Sequence, residues 1–575
     1  MSKNKEKNKR IKKIVIYRVL LFMAFLAAAA LNYLVINKLN IIPAKYLFAF
    51  IGGSILIALI SIFIFFKRKK LRLLKALWTI VLTIITIGYI VALLYLYKTN
   101  SFFKGIKDIN YRTEIYNVIV LKESTIESIE DLDSKNIQYV DNESLSYDKA
   151  LEKIDKKITI NKIIVGDYEV LLTNLYNEKT ESILIEDTNL KQVHEIYPNA
   201  KDKIKIIKTF KIKIKQDSIV KKVNVAKKPF NIYISGLDTY GSIANTARSD
   251  VNMIITVNPN TNQILLTSIP RDYYVQLRNT TGYKDKLTHA GVYGIESSVG
   301  TLEDLFDIDI NYYIKVNFST LIKIIDAIGG VDVYNSYAYT GHLYTYFPEG
   351  YVHLNGNEAL EFSRTRKTLR EGDNDRIKNQ QAVVDGIITK MTSKAIITKY
   401  SSLLDSLSGN FVTNMSDEEI TSLIKLQLDN MPNWTITSNV LTGYGSSEFT
   451  YTYPGQRLYV MIQNEESVNN AKDLINKVLN GEMLDNSYKE NTGTKSPVHG
   501  SAPVTPTTPK QEETAKTEEN RAEEETDNEN EETTNENENQ NNENENNNQP
   551  NENQNNETPS EEPGNNNQEN NEGNN

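Results

Sequence analysis

Residues 230–271 read FNIYISGLDTYGSIANTARSDVNMIITVNPNTNQILLTSIPR. Alternating apolar residues predict a strand over 230–237, and a second apolar run follows at 253–257. The turn-forming stretch 258–262 predicts that residues 263–269 run back as a partner strand. Strands and helical patterns alternate further along the chain, so we expect an α/β sheet flanked by helices.

Charged residues collect where these strands end. Asp238 follows the first strand, Arg248 and Asp250 precede the second apolar run, and Arg271 and Asp272 follow the third. Acids suit a metal ion and arginines suit phosphate, and a rigid sheet can hold both around a cleft. Taken alone, each motif is more typical of an ordinary salt bridge in a turn.

A second charged stretch, residues 362–381, reads FSRTRKTLREGDNDRIKNQQ. Arg364 and Arg366 are two residues apart, so on a strand they would point to one face. Arg376 and Gln380 are four apart and would share a helix face. Lysine predominates elsewhere in the chain, so this run of arginine favours forked recognition of phosphate oxygens.

Composition bounds the remaining interpretation. The chain has 575 residues and no cysteine, which excludes thiolate zinc sites, cysteine nucleophiles and disulfides. The net charge is −8, but residues 511–575 carry 21 acids against 2 bases, which leaves the preceding part at +11. The acidic, Asn/Glu-rich segment 485–575 has almost nothing to bury and is predicted to be a disordered tail.

The first hundred residues predict a membrane anchor. A basic segment, 1–13, precedes three apolar spans near 15–36, 46–66 and 76–97, and the anchor as a whole covers 14–98. Basic residues before the first span and between the second and third predict that both lie in the cytoplasm. The chain after the third span should therefore be extracellular.

Two α/β regions are predicted after the anchor, a small accessory domain at 99–225 and a larger catalytic domain at 229–482. In the smaller one, residues 203–215 alternate lysine with Ile or Phe. This pattern is typical of an edge strand protected by lysines, and contact with acidic polymer or lipid headgroups is the alternative. Of the histidines, only His289 lies near the charged motifs, and we interpret it as a structural contact.

Several separated motifs occur in the order found in the LytR–CpsA–Psr family, and the chain resembles that family over roughly 230–395. The preceding α/β unit and the multiple spans resemble its capsule-associated CpsA branch. The motifs that carry the resemblance are GLDTYG, ARSDVNMIITVN, SIPRDYYV, KLTHA, YYIKVNF, DAIGGVDVY and FSRTR with GDNDR and NQQ.

The resemblance implies an extracytoplasmic transferase that moves glycopolymers such as capsule or teichoic acid from an undecaprenyl-pyrophosphate carrier to peptidoglycan. It implies Mg²⁺ held by Asp238 and Asp250. The pyrophosphate-binding residues it implies, with Lys286 added for its place between the two charged stretches, are Arg248, Arg271, Lys286, Arg364, Arg366, Arg376 and Gln380. The implied catalytic group is Arg248, Arg271, Asp272 and Asp373, in which either Asp272 or Asp373 is the general base.

Two alternatives belong to other classes. One is a non-catalytic protein that binds lipid-linked polysaccharide and regulates envelope assembly, and the other is a pyrophosphatase. The expected partners are the carrier-linked glycopolymer, peptidoglycan, membrane lipid and other cell-envelope biosynthesis proteins. We expect no nucleic-acid partner, because the short cytoplasmic segment 1–13 contains no helix-turn-helix pattern.

Overall fold

The structure is a computed structural model. It describes residues 2–66, 72–105, 111–142, 145–215, 218–237, 246–278, 280–407 and 411–484. Asp238 and the predicted tail at 485–575 lie outside the described residues.

Three long helices open the chain, α1 (Ser2–Leu39), α2 (Ala44–Phe66) and α3 (Arg72–Gly105). Each contains an apolar stretch long enough to cross a membrane. The basic segment 1–13, which the sequence sets apart from the first span, is part of α1 from Ser2 onward. The chain is thus anchored by three transmembrane helices, as predicted.

The small α/β domain comprises one five-stranded sheet with its helices, in the strand order β3-β2-β4-β1-β5. Its strands are β1 (Tyr111–Leu121), β2 (Asn136–Val140), β3 (Asn161–Val165), β4 (Ser182–Glu186) and β5 (Ile204–Lys215). Its helices are α4 (Tyr147–Asp155), α5 (Tyr168–Tyr176), α6 (Asp187–Ile196) and α7 (Ala200–Lys203). Among the described residues, the lysine-rich strand β5 pairs with β1 alone, so it is an edge strand.

The large α/β domain is built on a six-stranded mixed sheet, the central sheet, in the order β16-β11-β6-β7-β8-β17. The strands of this domain are β6 (Phe230–Leu237), β7 (Ser249–Asn258), β8 (Gln263–Ile269), β9 (Tyr274–Val275), β10 (Asp285–Lys286), β11 (Tyr312–Asn317), β12 (Val331–Asn335), β13 (Tyr339–Thr340), β14 (Tyr346–Phe347), β15 (Gly350–Leu354), β16 (Val412–Thr413), β17 (Thr435–Val440), β18 (Gly443–Phe449) and β19 (Arg457–Gln463). Its helices are α8 (Leu287–Ala290), α9 (Ile295–Phe306), α10 (Phe318–Ile328), α11 (Gly356–Arg364), α12 (Asp373–Thr392), α13 (Ile396–Leu407), α14 (Asp417–Asn430) and α15 (Glu465–Asn480).

The alternation of side chains along residues 230–269 explains how helices cover both faces of the central sheet. Side chains such as Tyr233 and Ile254 join one apolar cluster with α9 and α15, whereas Ile232 and Met253 join another with α12 and α14. Successive residues of a strand face opposite sides of a sheet, so the central sheet is covered on both faces. The first cluster continues into the small domain through residues such as Tyr116, so the two domains share a core.

One sequence expectation about the charged motifs was wrong. Arg364 and Arg366 do not lie on a strand, because α11 ends at Arg364 and Thr365 is its C-cap. Asn355 and Glu358 form a capping box that starts this helix, and the apolar side of the helix is buried. The capping residues and a helical apolar period therefore outweigh the two-residue spacing of the arginines.

The large domain contacts the ends of the membrane helices. Lys45 Nζ, at the start of α2, lies 2.9 Å from Asp429 Oδ1 of α14, and Lys98 Nζ of α3 lies 2.7 Å from Asp405 Oδ2 of α13. An apolar cluster that includes Phe102 and Leu404 lies beside these ion pairs. The domain is therefore seated on the anchor and not merely tethered to it.

Candidate functional site

Asp250 and Arg271 meet at one edge of the central sheet. Asn252 of β7 is paired with Ile269 of β8, and continuing this antiparallel register by two residues brings Asp250 opposite Arg271. The Arg271 Nη1 donates to Asp250 Oδ2 at 2.8 Å, and the hydroxyl of Thr288 in α8 donates to Asp250 Oδ1 at 3.1 Å. Both charged side chains are largely buried, with 23% and 14% of Arg271 and Asp250 exposed.

The close approach of β6 to β7 at this edge depends on a glycine. A Cβ at Gly236 would lie 2.7 Å from the Cβ of Val251, nearer than real Cβ atoms come. The register between the strands also shifts immediately after Gly236. Gly236 is therefore required by the close packing of β6 against β7.

Two further groups extend the site along the chain from Arg271. Asp272 Oδ2 lies 3.5 Å from Arg271 Nε, and Asp272 Oδ1 lies 3.1 Å from the Nζ of Lys286. The short pair of β9 and β10 places Lys286 opposite Tyr274 and so close to Asp272. The predicted residues Arg271, Asp272 and Lys286 thus form one chain of ion pairs.

The helix α12 brings the second charged stretch to the same place. Arg376 Nη2 lies 2.6 Å from Asp373 Oδ1, and only 11% of the Arg376 side chain is exposed. Electrostatic interactions join Arg376 to Arg271, Asp250 and Arg366. We call Arg271, Arg366 and Arg376 the arginine cluster.

Among the described residues, the arginine cluster keeps buried N–H groups without a hydrogen-bond partner. Burial and the neighbouring charge of Arg271 lower the pKa of Arg376 below its ordinary value. The Nε atoms of Arg271 and Arg376 are buried, and within the described ranges neither makes a hydrogen bond. Burial also opposes ionisation of Asp250, but Arg271 and its neighbouring arginines lower its pKa overall. A buried N–H group without a hydrogen-bond partner is what an anionic ligand needs.

Arg248 belongs to the large domain, but its side chain is bound by a residue of the small domain. Its Nη1 and Nη2 donate to the two carboxylate oxygens of Glu195 in α6, at 2.8 and 2.7 Å. Burial acts to lower the pKa of Arg248, but Glu195 and Asp250 together raise it above its ordinary value. The structure therefore brings Arg248 to the site with a carboxylate partner that the sequence did not indicate.

Arg364 and Gln380 are less closely joined to the cluster. The Arg364 guanidinium lies 4.4 Å from the ring centre of Phe318, and Gln380 donates to the carbonyl of Ser363 at 3.3 Å. Both lie where α11 and α12 come together, and the roles predicted for them stay predictions.

The charged residues of α12 divide between two sides of the helix. Asp375 and Lys378 face away from Arg376 and line a cavity of about 250 Å³ with Tyr337 and Arg370. The Tyr337 hydroxyl donates to Asp375 Oδ2 at 2.7 Å, and Lys378 pairs with Asp375 at 3.2 Å. Asp375 bonds to both Tyr337 and Lys378 in this cavity, whereas the arginine cluster keeps two buried Nε atoms without a hydrogen-bond partner among the described residues.

A buried polar network supports the segment that carries Lys286 and Thr288. His289 Nδ1 lies 2.6 Å from Asp285 Oδ1, and the backbone N–H of Thr452 donates to Asp285 Oδ2 at 2.9 Å. His289 is 1% exposed, which agrees with its interpretation as a structural contact. Thr288 was missed from the sequence, although its neighbours in KLTHA were noted, because a threonine hydroxyl carries no charge pattern.

The predicted metal site is described only in part. Asp238 lies outside the described residues, and within those residues there is no group of three or more His, Asp or Glu side chains able to hold a metal ion. Mg²⁺ typically keeps several waters and binds one or two carboxylates together with phosphate oxygens. Asp250, whose two oxygens each make one contact, fits such an ion when phosphate is present.

Most of the large domain is similar in sequence to one known protein family. A model of the LytR_cpsA_psr family matches residues 193–472. The polyisoprenyl-teichoic acid–peptidoglycan teichoic acid transferase TagU of Bacillus cereus (strain AH820) is 38% identical over 208 residues, which are 36% of this chain and 67% of that protein. TagU of Bacillus subtilis (strain 168) is 34% identical over 198 residues, 34% of this chain and 63% of that protein. The crystal structure of B. subtilis TagV is 27% identical and covers 45% of this chain and 99% of its own, with a TM-score of 0.38.

Proposed function

Because the chain belongs to the LytR–CpsA–Psr family, we propose that it transfers a glycopolymer from an undecaprenyl-pyrophosphate carrier to peptidoglycan. The transferase names of its relatives support this at the level of the family. The observation that carries the proposal for this chain is the arginine cluster, with its buried and unused N–H groups beside Asp250.

The proposed reaction is a phosphoryl transfer. A sugar hydroxyl of peptidoglycan attacks the phosphorus next to the polymer, which forms a new P–O bond. The bond from that phosphorus to the bridging oxygen breaks, and undecaprenyl phosphate leaves with its electron pair. The hydroxyl proton passes to a carboxylate, for which Asp272 and Asp373 are the candidates because both lie among the arginines.

The residues of the site would act mainly through charge and position. Arg271 and Arg376 would grip non-bridging oxygens and stabilise the charge that grows on the departing phosphate. Their burial strengthens these interactions, because little water competes for the phosphate. A bound Mg²⁺ at Asp250 would neutralise further phosphate charge. Lys286 holds Asp272 in place and adds positive charge at the rim.

The membrane anchor would hold the site close to its lipid-linked substrate. We propose that the N-terminus is cytoplasmic and that both α/β domains are extracellular, because the sequence is strongly basic in segment 1–13 and in the 67–72 connection, and basic connections stay in the cytoplasm. A lipid-linked donor then enters from the same membrane that holds α1, α2 and α3.

The test uses the full-length protein in detergent with a lipid-pyrophosphate-linked oligosaccharide, peptidoglycan fragments and Mg²⁺. Mass spectrometry should find a phosphodiester-linked sugar–peptidoglycan product and undecaprenyl phosphate. We expect EDTA, Asp250→Ala and Arg364→Ala each to abolish the product while the protein stays folded. Release of soluble oligosaccharide phosphate without transfer would identify a pyrophosphatase, and tight donor binding without turnover would identify a binding protein.

A further inference from the structure

The small domain reaches directly into the segment that precedes β7. The backbone N–H of Thr246 donates to the carbonyl of Thr113 in β1 at 3.1 Å. The Thr246 hydroxyl donates to Glu186 Oε1 at 3.1 Å, and Glu186 also caps the first turn of α6. The backbone that leads to Arg248 and Asp250 is therefore fixed by strands and a helix of the other domain.

The same helix holds the Arg248 side chain. Glu195 lies near the end of α6 and accepts two hydrogen bonds from the Arg248 guanidinium. A fork-to-fork pair of this kind fixes the plane of the guanidinium as well as its position. Helix α6 thus sets the direction in which the remaining donors of Arg248 point.

The pair leaves Arg248 able to bind a second anion. A guanidinium carries five N–H groups, and Glu195 uses two of them. Arg248 also interacts electrostatically with Asp250 and with Arg271. Among the described residues, Arg248 has no other hydrogen-bond acceptor, and its remaining N–H groups lie within the field of the arginine cluster. Glu195 thus supports these groups without occupying them.

We infer that Glu195 is a positioning residue for the pyrophosphate site, so that the small domain is a working part of the site and not a separate module. The inference rests on the proposed function, since it takes Arg248 to bind substrate phosphate. Loss of Glu195 would free the guanidinium to rotate, and a misplacement of about 1 Å can cost up to ~100-fold in rate.

The experiment compares Glu195→Gln, Glu195→Asp and the control Glu152→Gln in the full-length protein. Glu152 is an exposed small-domain carboxylate paired with Lys156 at 2.8 Å, away from Arg248. Transfer kinetics are measured with the lipid-linked donor, and inorganic pyrophosphate binding is measured by calorimetry without turnover. We expect Glu195→Gln to raise KM and weaken pyrophosphate binding by about tenfold, with a smaller change in kcat.

The charge-retaining Glu195→Asp should recover most of the lost affinity, and Glu152→Gln should match the unsubstituted protein. A role in folding alone would lower kcat with KM unchanged, because a smaller fraction of normal sites would remain. That result would overturn the inference, as would a Glu195→Gln variant with unchanged KM and pyrophosphate affinity. Tighter binding in Glu195→Gln would also overturn it, because it would mean that Glu195 competes with the phosphate.

A matched Arg271→Ala variant separates this inference from the proposed function. If Arg271→Ala loses transfer and pyrophosphate binding while Glu195→Gln keeps both, only the role of Glu195 is wrong. If Arg271→Ala keeps both, the assignment of the cleft itself is wrong, and Glu195 has no site to support.

Discussion

The arginine cluster and the lysines of β5 are both dense positive regions, but they differ in how their charges are arranged. Arg271 and Arg376 come from separate parts of the chain, are largely buried and keep unused N–H groups. Lys211, Lys213 and Lys215 succeed one another along an edge strand and are exposed to solvent. Convergence and burial, more than the number of charges, distinguish a ligand site from a protected edge.

The largest effect is expected when one member of the arginine cluster is removed. Arg271→Gln should lower transfer by about 10²–10³-fold, because a preorganised donor to the developing charge is lost from a buried position. The check is the initial rate of product formation, with circular dichroism to show an unchanged fold. Lys213→Gln on β5 is the control and should transfer at the normal rate. Equal losses of transfer in Arg271→Gln and Lys213→Gln would mean that the arginine cluster and the lysines of β5 do not differ in function.

A smaller effect should follow when charge is kept and geometry is changed. Arg376→Lys keeps one positive charge opposite Asp373 but lacks the forked donors and the buried Nε. We expect a fall of roughly tenfold in kcat/KM, about 1.4 kcal/mol of transition-state stabilisation. Steady-state kinetics on the lipid-linked donor measure it. Full activity in Arg376→Lys would mean that a positive charge alone suffices at this position, as it does for the protection of the β5 edge.

The sequence predicted the central part of this picture well. The strands over 230–237 and 263–269 coincide with β6 and β8, because short, largely apolar runs bounded by turn residues are typical of strands buried on both faces. The pairing of Asp250 with Arg271 was not predicted, although it follows from the turn between β7 and β8 once the two strands are paired. Local pattern was enough for the two strands.

Other features depend on contacts that no local pattern encodes. Glu195 and Arg248 are 53 residues apart and meet only because two domains pack together. Glu195 is one exposed acid among many in the sequence, so nothing marks it as a partner. The error over Arg364 and Arg366 has a different origin, since the capping box at Asn355 and Glu358 was present but went unused.

Glu186, a buried carboxyl at the boundary between the two domains, should make the stability of the protein depend on pH. Burial raises the pKa of Glu186 to about 7 from an ordinary value of 4.5, despite backbone donors that favour its charged form. Between these two values the folded protein retains a proton that the unfolded chain has released, so stability should fall as the pH rises through this window. Glu186→Gln should reduce that fall.

Thermal unfolding of the full-length protein at pH 5 and pH 8, followed by intrinsic fluorescence, measures the difference. We expect Tm to drop by a few degrees more in the unsubstituted protein than in Glu186→Gln, and Glu152→Gln should behave as the unsubstituted protein does. Identical pH dependence in Glu186→Gln would show that this carboxyl titrates normally. Glu186 at the domain boundary would then behave like the solvent-exposed side chains of β5 and not like the buried side chains of the arginine cluster.

The smallest effect on activity is expected on β5 itself. Lys211→Val should leave transfer unchanged but increase self-association, because a flat apolar edge can pair with a second chain. Light scattering across a range of protein concentrations measures this, and Lys149→Val on α4 is the control for a lysine away from the edge. A loss of transfer in Lys211→Val would instead assign β5 a part in substrate binding.

The seating of the large domain on α2 and α3 has a kinetic consequence. Ion pairs at Lys45 and Lys98, with the apolar cluster beside them, limit how far the domain can swing above the bilayer. A lipid-linked donor diffuses only within the plane of the membrane. In the proposed reaction, a site held at a nearly fixed height above that plane would meet its donor by a two-dimensional search, and the surface density of the lipid would set the effective concentration at the arginine cluster.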